Sequence, residues 1–335
     1  MSDLNPVKSL LKDSKKIVLT THTRPDGDAM GSSLALYHFL KNQGHNVSVI
    51  TPTNYAVFLH FLPGDHEVII YENHQKRCNK LVKEADILFA LDYNAPKRAK
   101  PMSSAIQNSK AVKILIDHHL EPEEGFCDYA FWSVAASSTC ELVYEFISEI
   151  AGTEYIDKKM ATCIYTGICT DTGRFKFNTN PKLYEIVADL VRKGINLAKI
   201  HTQVFDTFSE DKLRFLGFCL TERMMVFPEY NTAFIYVTER DFRRFNYQEG
   251  DKEGLVNYPL SLAGFRFAAL ITENDELVKM SFRSKGNFSV NKFARENFNG
   301  GGHKNAAGGL SRLSLDNTID KFIDLLPKYE KELTT

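Results

Sequence analysis

The 335-residue chain has no Cys-x-x-Cys pair, no surplus of either charge and no apolar run approaching the ~18 residues of a membrane span. Each absence removes a class of protein. Without paired spacing, Cys78, Cys127, Cys140, Cys163, Cys169 and Cys219 read as reduced thiols packed in cores, not as a disulfide framework. Lys and Arg number 41 against 42 Asp and Glu, for a net charge of −1. Proteins that grip long duplexes show a basic face or tail, so a nucleic-acid substrate is expected to be short and held in a local pocket. Between Met1 and Lys16 no apolar core precedes a small-residue cleavage site, and Val7, Leu10 and Leu11 read as a short amphipathic helix. A cytoplasmic location and no membrane partner are therefore expected. Phenylalanine leads the aromatic content, at core-like positions, and no aromatic residue is assigned to base stacking.

What is present is enough chain for two cores. In the first half, Lys16–Thr21, Asn46–Thr51, Asp86–Asp92 and Ala111–Asp117 are apolar runs of strand length. Between the first two, Asp28–Gln43 reads as a helix stopped at Gly44. Strand, helix and strand within ~35 residues make a βαβ unit, and its repetition implies a parallel sheet covered by helices. Ser138-Thr139-Cys140-Glu141 is a capping-box pattern that opens another helix, and Lys158–Thr170 reads as one more. Leu183–Leu220 is helix-rich and broken at Gly194. Beyond Met224, strands are expected at Ala233–Val237, around Phe265–Thr272 and at Leu277–Phe282, then a helix over Val290–Phe298 and a glycine-rich turn. The expected class is α/β: a Rossmann-like N-terminal domain with helices on both faces (1–190), a helical connector (191–225) and a smaller α/β domain (226–335).

Chemistry-bearing residues gather where strands end, the edge at which open α/β sheets bind ligands. The first strand runs into Thr21-His22-Thr23-Arg24-Pro25-Asp26-Gly27-Asp28; Asp92 and Asp117-His118-His119 follow two others, and Asp171 ends a helical stretch before Gly173. Singly each has a plain reading: Asp28 as a helix N-cap, Asp26 and Asp171 as turn residues, Asp92 as a strand-end cap. Together, His22, Asp26, Asp28, Asp92, His118 and Asp171 place carboxylates so close that they require a compensating positive charge. Oxygen and imidazole donors without thiolate suit Mn²⁺, Mg²⁺ or Co²⁺ better than a structural zinc. Two such ions stabilise the attacking and leaving oxygens of phosphoryl transfer. In the second half, Phe282-Arg283-Ser284-Lys285 ends a strand with two cations, and Gly300-Gly301-Gly302-His303 follows the next helix. Glycines there let backbone N–H groups converge on an anion, and Arg283 offers a bidentate grip on phosphate.

Thr21–Ser32, Leu91-Asp92, Asp117-His118-His119, Ala136–Thr139 and Thr170–Phe175 resemble the motifs of the DHH phosphoesterase superfamily. Ser281–Lys285 and Gly300–Gly309 resemble its associated C-terminal substrate-binding domain. The layout is similar to the subgroup that degrades very short oligoribonucleotides and dephosphorylates 3′-phosphoadenosine 5′-phosphate (pAp), and these substrates are what the resemblance implies. It also implies two Mn²⁺ ions, one held by His22, Asp26 and Asp92, the other by Asp28, His118 and Asp171 with Asp92 shared. Asp117 would orient the neighbouring histidine and His119 would contact the scissile phosphate. Arg283, Ser284, Gly301, Gly302 and His303 would hold the rest of the substrate. The catalytic set is then Asp92, Asp117, His118 and His119.

Three other readings share these motifs. A pyrophosphatase or exopolyphosphatase would present a denser cationic cluster than Arg283, Lys285 and Lys304 offer. A phosphodiesterase of cyclic dinucleotides or of their linear products is the second. A regulator that binds nucleotides without hydrolysing them is disfavoured, because Asp92 and His118 are both present. A homodimer stays open.

Overall fold

Alternation along the first-half strands sends successive side chains to opposite faces of one sheet. Ile17 and Leu19 enter the core on one face together with Phe89 and Leu91, while Val18, Leu88 and Ala90 enter the other. A parallel sheet buried on both faces needs helices on both, and it has them. The computed structural model describes residues 4–248, 250–274 and 277–334. It divides between Thr207 and Phe208 into two compact units.

The sheet of the first unit comprises β1 (Lys16–Thr20), β2 (Asn46–Thr51), β3 (Val68–Ile70), β4 (Ile87–Leu91), β5 (Val112–Asp117) and β6 (Tyr129–Trp132). Its order is β3-β2-β1-β4-β5-β6 and every pair is parallel. The chain turns outward from β1 in one direction and from β4 in the other, so the topological switch lies between them, where such sheets bind ligands. The first-unit helices are α1 (Asn5–Leu10), α2 (Gly27–Asn42), α3 (Tyr71–Glu84), α4 (Ser103–Gln107), α5 (Thr139–Ile150), α6 (Lys158–Asp171), α7 (Pro181–Arg192) and α8 (Leu197–Phe205). Residues of α2, α5 and α6 share one core with the sheet, and residues of α3 and α4 share the opposite one.

Two helix starts differ from the sequence expectation. The N-cap of α2 is Asp26, whose Oδ1 accepts the N–H groups of Asp28 (3.0 Å) and Ala29 (3.1 Å), so Asp28 lies inside the first turn. At α5, Ser138 caps the N–H of Glu141, but the Glu141 carboxylate reaches one residue further back, to the N–H of Ser137 at 2.7 Å.

The second unit holds α9 (Glu210–Glu222), α10 (Glu239–Arg244), α11 (Val290–Asn297), α12 (Leu315–Leu325) and α13 (Glu330–Thr334). Its strands are β7 (Met224–Phe227), β8 (Thr232–Val237), β9 (Phe267–Asn274), β10 (Leu277–Ser284), β11 (Gly301–Gly302) and β12 (Ala306–Ser311), ordered β11-β12-β10-β9-β8-β7. Only β8 and β9 run parallel among these pairs. One face is a phenylalanine core of Phe234, Phe267, Phe282, Phe293 and Phe322. The segment expected as a glycine-rich turn is instead the β11–β12 hairpin. The stretch expected as a connector is shared, α8 belonging to the first unit and α9 to the second. All six cysteines are free thiols, and among the described residues no helix is long and apolar enough to cross a membrane.

Candidate metal centre

Strand ends at the switch point bring the first-unit residues together. His22 leaves β1, Asp92 leaves β4, and Asp117, His118 and His119 close β5. Asp26 and Asp28 come from the start of α2, and Asp171 from the end of α6. Asp92 takes a left-handed backbone (φ 64°), a strained state for a residue with a side chain and one that collects at functional sites. Its N–H is fixed by the Ile116 carbonyl at 3.1 Å.

Asp92 lies between the two imidazoles. Its Oδ2 is 3.4 Å from His22 Nε2, and its Oδ1 is 3.6 Å from His118 Nε2. His22 Nε2 also stands 3.9 Å from Asp26, and His118 Nε2 stands 3.8 Å from both Asp28 and Asp171. Ligand atoms of His22, Asp26 and Asp92 lie within 4.8 Å of one another, as do those of Asp28, Asp92 and His118. Asp92 is common to both groups. Asp171 stands beside the second, 3.8 Å from His118 Nε2, and its charge also acts on Asp28.

The surroundings orient these donors. His22 Nδ1 lies 2.9 Å from the Thr23 carbonyl, which can only accept, so that nitrogen carries a proton and Nε2 is the atom turned to the acidic cluster, protonated toward Asp92 or, with a cation bound, its ligand. His119 Nδ1 lies 2.7 Å from Asp117 Oδ1. Asp117 is wholly buried and its other oxygen has no hydrogen-bond partner among the described residues. The two oxygens of Asp28 accept the N–H groups of Thr139 (2.7 Å) and Cys140 (2.8 Å), and the Thr139 hydroxyl donates to Asp92 Oδ1 at 3.0 Å. Helix α5 therefore presents its positive end to the site.

Electrostatics show what the cluster requires. Burial, then Asp92 and Asp171, push the Asp28 carboxyl well above the ordinary carboxylate range. Burial works against Asp92 too, yet hydrogen bonding to His22 and the charges of His119, His22 and His118 hold its carboxyl below that range. Burial lowers the imidazoles, but Asp92 and Asp26 raise His22 to about 9, and Asp171, Asp92 and Asp28 raise His118 to about 9. By themselves these carboxylates draw protons onto the histidines. Divalent cations satisfy the same demand, and a set of carboxylates and imidazoles without a thiol fits ions that prefer oxygen and nitrogen. The neighbouring Cys140 stays out of the donor set: its Sγ donates to the Asp28 carbonyl at 3.5 Å and burial pushes its thiol well up.

Sequence reasoning placed Thr139 in a helix-opening motif without giving it a role at the site, and passed over Arg98. Nothing local marks the role of Thr139, which depends on α5 docking against α2. Arg98 was signalled by Pro96-Lys97-Arg98-Ala99-Lys100 directly beyond Asp92. Its carbonyl accepts the Thr23 N–H at 2.8 Å, and its charge opposes protonation of His22.

In the second unit, Arg283 is half-buried near the end of β10, paired in register with Ala306 and Ala268. Ser284 points inward: its hydroxyl donates to the Phe288 carbonyl at 2.7 Å and accepts from Asn305 at 2.8 Å. It braces the turn that follows β10 and does not present a free hydroxyl. Three of the backbone N–H groups expected to converge on an anion are also committed. Gly300 donates to Ala294, Gly302 to Asn291 Oδ1 and His303 to Ala306. A Cβ on Gly300 would fall 1.9 Å from the Gly308 carbonyl, so glycine is required there by close backbone approach. Arg283 Nη1 donates to the Phe282 carbonyl at 3.0 Å.

Residues 16–168 match the DHH family, N-terminal domain, and residues 231–332 match the DHHA1 domain. The chain is 31% identical over 329 residues to the bifunctional oligoribonuclease and PAP phosphatase NrnA of Thermus thermophilus, across 95% of this chain and 90% of that protein. It is 28% identical over 299 residues to the protein of the same name from Bacillus subtilis, across 87% and 88%. The crystal structure of an exopolyphosphatase-related protein from Bacteroides fragilis matches with a TM-score of 0.94 and 41% identity, across 99% of this chain and 97% of that one.

Proposed function

The chain belongs to the DHH family of phosphoesterases, and from that membership and the paired ligand groups around Asp92 we propose a two-metal hydrolase of very short oligoribonucleotides that also removes phosphate from pAp. The observation that carries the proposal is the division of Asp92, one oxygen toward His22 and the other toward His118. One carboxylate able to serve two ions is the arrangement that in-line phosphoryl displacement uses.

His22, Asp26 and Asp92 would hold one ion, and Asp28, His118 and Asp171 the other, with Asp92 shared. Bound Mn²⁺, Mg²⁺ or Co²⁺ supplies charge neutralisation and activates water. Asp117 accepts from Nδ1 of His119 and fixes the ring, so that the other ring nitrogen is presented to the scissile phosphate. Thr139 and the start of α5 keep Asp28 and Asp92 in place without titrating. Arg283 and His303 hold the substrate's second phosphate or terminal nucleotide, beside Gly301 and Gly302. Ser284 supports the turn behind Arg283.

The relatives named as oligoribonuclease and PAP phosphatase align along most of their length, which supports this substrate class. The test is a parallel assay, with divalent cation, of RNA two to five nucleotides long, pAp, a cyclic dinucleotide and pyrophosphate. Mononucleotides from the short RNAs together with AMP from pAp are expected. Orthophosphate from pyrophosphate alone would move the assignment to the pyrophosphatase reading, and cleavage of the cyclic dinucleotide alone to the phosphodiesterase one.

A further inference from the structure

The chain contains a single tryptophan, Trp132, and it is 40% exposed. It ends β6, the edge strand, where its Cα pairs in register with Asp117. Its indole Nε1–H donates 2.6 Å to the backbone carbonyl of His119. The polar end of the side chain is therefore satisfied inside the protein, and what remains open is the hydrocarbon of the ring. Phe131, the residue before, fills the core at 1% exposure, whereas Val134, two residues on, is 51% exposed. Edge strands more often carry charge or proline at such positions, which discourages unwanted pairing.

Sheet order gives the position meaning. Along the C-terminal edge the sequence is His22 after β1, Asp92 after β4, His118 and His119 after β5, and Trp132 ending β6. Neighbouring strands stand ~4.8 Å apart, so Trp132 lies about 10 Å from Asp92 along that edge, with His119 between them. That span suits a nucleoside whose phosphorus sits between Asp92 and His119. The loop joining β5 to β6 exposes Glu121, Glu123 and Glu124, which makes this side inhospitable to a bare polyanion.

We propose that Trp132, anchored to the backbone of His119, is the stacking platform for the nucleobase attached to the scissile phosphate. The inference rests on the phosphoesterase reading above and extends it: this rim selects a nucleoside phosphate over an inorganic one. Base–aromatic stacking tolerates any base, so the platform imposes little sequence preference.

The single tryptophan is its own reporter. Full-length protein with Mg²⁺ is titrated with AMP, with ribose 5-phosphate and with inorganic phosphate while indole emission is followed. Quenching by AMP and not by the other two is expected. In parallel, Trp132→Leu should raise KM for pAp about tenfold with kcat little changed, the loss of one base–aromatic stack, and Trp132→Phe should recover most of it. If the protein hydrolyses pAp while AMP leaves emission unmoved and Trp132→Leu keeps the native KM, the platform is wrong and the phosphoesterase reading stands. Emission that follows protein concentration and not AMP would assign Trp132 to a contact between copies, and overturns the inference as well. No hydrolysis of any nucleotide by the native chain would sink the functional reading itself, and the platform with it.

Discussion

The carboxylate of Asp28 accepts the backbone N–H of Thr139 at 2.7 Å, across 111 positions of sequence. The same helix end gives Asp28 the N–H of Cys140 and gives Asp92 the hydroxyl of Thr139. Two carboxylates crowded into one buried site are thus held by uncharged donors, which leaves their charge available to cations.

Thr139→Val separates these contributions. Valine keeps the shape and the backbone N–H but loses the hydroxyl that fixes Asp92. Groups that orient metal ligands are worth about ten- to hundredfold in affinity, so calorimetric titration with Mn²⁺ should show weaker binding by that factor. The metal-free protein should lose only about 1 kcal/mol of stability, the value of one hydrogen bond. Native metal affinity in the variant would show that the hydroxyl contributes nothing to orientation.

Asp92→Asn tests the sharing of one carboxylate by two ions. A ligand that binds only the folded state stabilises it by about 2.7 kcal/mol at a hundred times its dissociation constant. Native protein should therefore melt at a higher temperature with divalent cation than with chelator, and the variant should show little difference. Hydrolysis should fall at least about a thousandfold. A variant that retained the full metal-dependent rise in melting temperature would rule out Asp92 as a ligand of either ion.

What the sequence revealed and what it hid follow from chain geometry. Strands β1, β2, β4 and β5 were legible because a sheet buried on both faces demands unbroken apolar runs, and the site residues stood at the ends of those runs. Strand β6 is four residues long and half-exposed, so Tyr129–Trp132 carried no such signal and Trp132 went unremarked. Strand β12 was masked by Gly308 and Gly309, which read as turn residues. In the fold Gly309 packs where a Cβ would meet Phe298 at 2.9 Å and Phe282 at 3.0 Å, so its role is close approach. The N-cap of α2 was misplaced by two residues because Asp26 and Asp28 are both good caps, and only the extended backbone at Asp26, just before the helical Gly27, decides between them. The role of Thr139 was hidden because its partners are distant in sequence.

Gly167→Ala probes how tightly the helices must approach to bring Asp28 into place. A Cβ there would stand 2.2 Å from Cys140 Sγ on α5 and 3.0 Å from both Cα and Oδ1 of Asp28 on α2. In an isolated helix alanine is favoured over glycine by about 1 kcal/mol. Here overpacking should win and cost about 1–3 kcal/mol in urea unfolding. Metal affinity should fall with it, because the displaced atom belongs to a proposed ligand. A variant more stable than the native chain would mean that the three helices have slack at this point.

Asp241 in the second unit gives a pH signature independent of the metal centre. It is 3% exposed and accepts both Nε (2.8 Å) and Nη2 (2.9 Å) of Arg223, and its Oδ2 also takes the Thr238 N–H at 3.0 Å. Burial works against its charge, but the bonds from Arg223 and Thr238 prevail and hold the carboxyl below its ordinary value. A depressed carboxylate contributes stability that is complete above the unfolded pKa, about 3.9, and is lost as pH falls through the folded one. Asp241→Asn leaves the partly exposed Arg223 without its counter-charge and should destabilise by about 1.5–3 kcal/mol at pH 7. That deficit should persist down to about pH 4 and shrink only below it, where the native carboxylate also takes up its proton. Urea unfolding of both proteins at several pH values between neutrality and the acid limit checks this. A deficit that stayed constant throughout would mean that the cost lies in packing and hydrogen-bond geometry, with no share from the charge on Asp241.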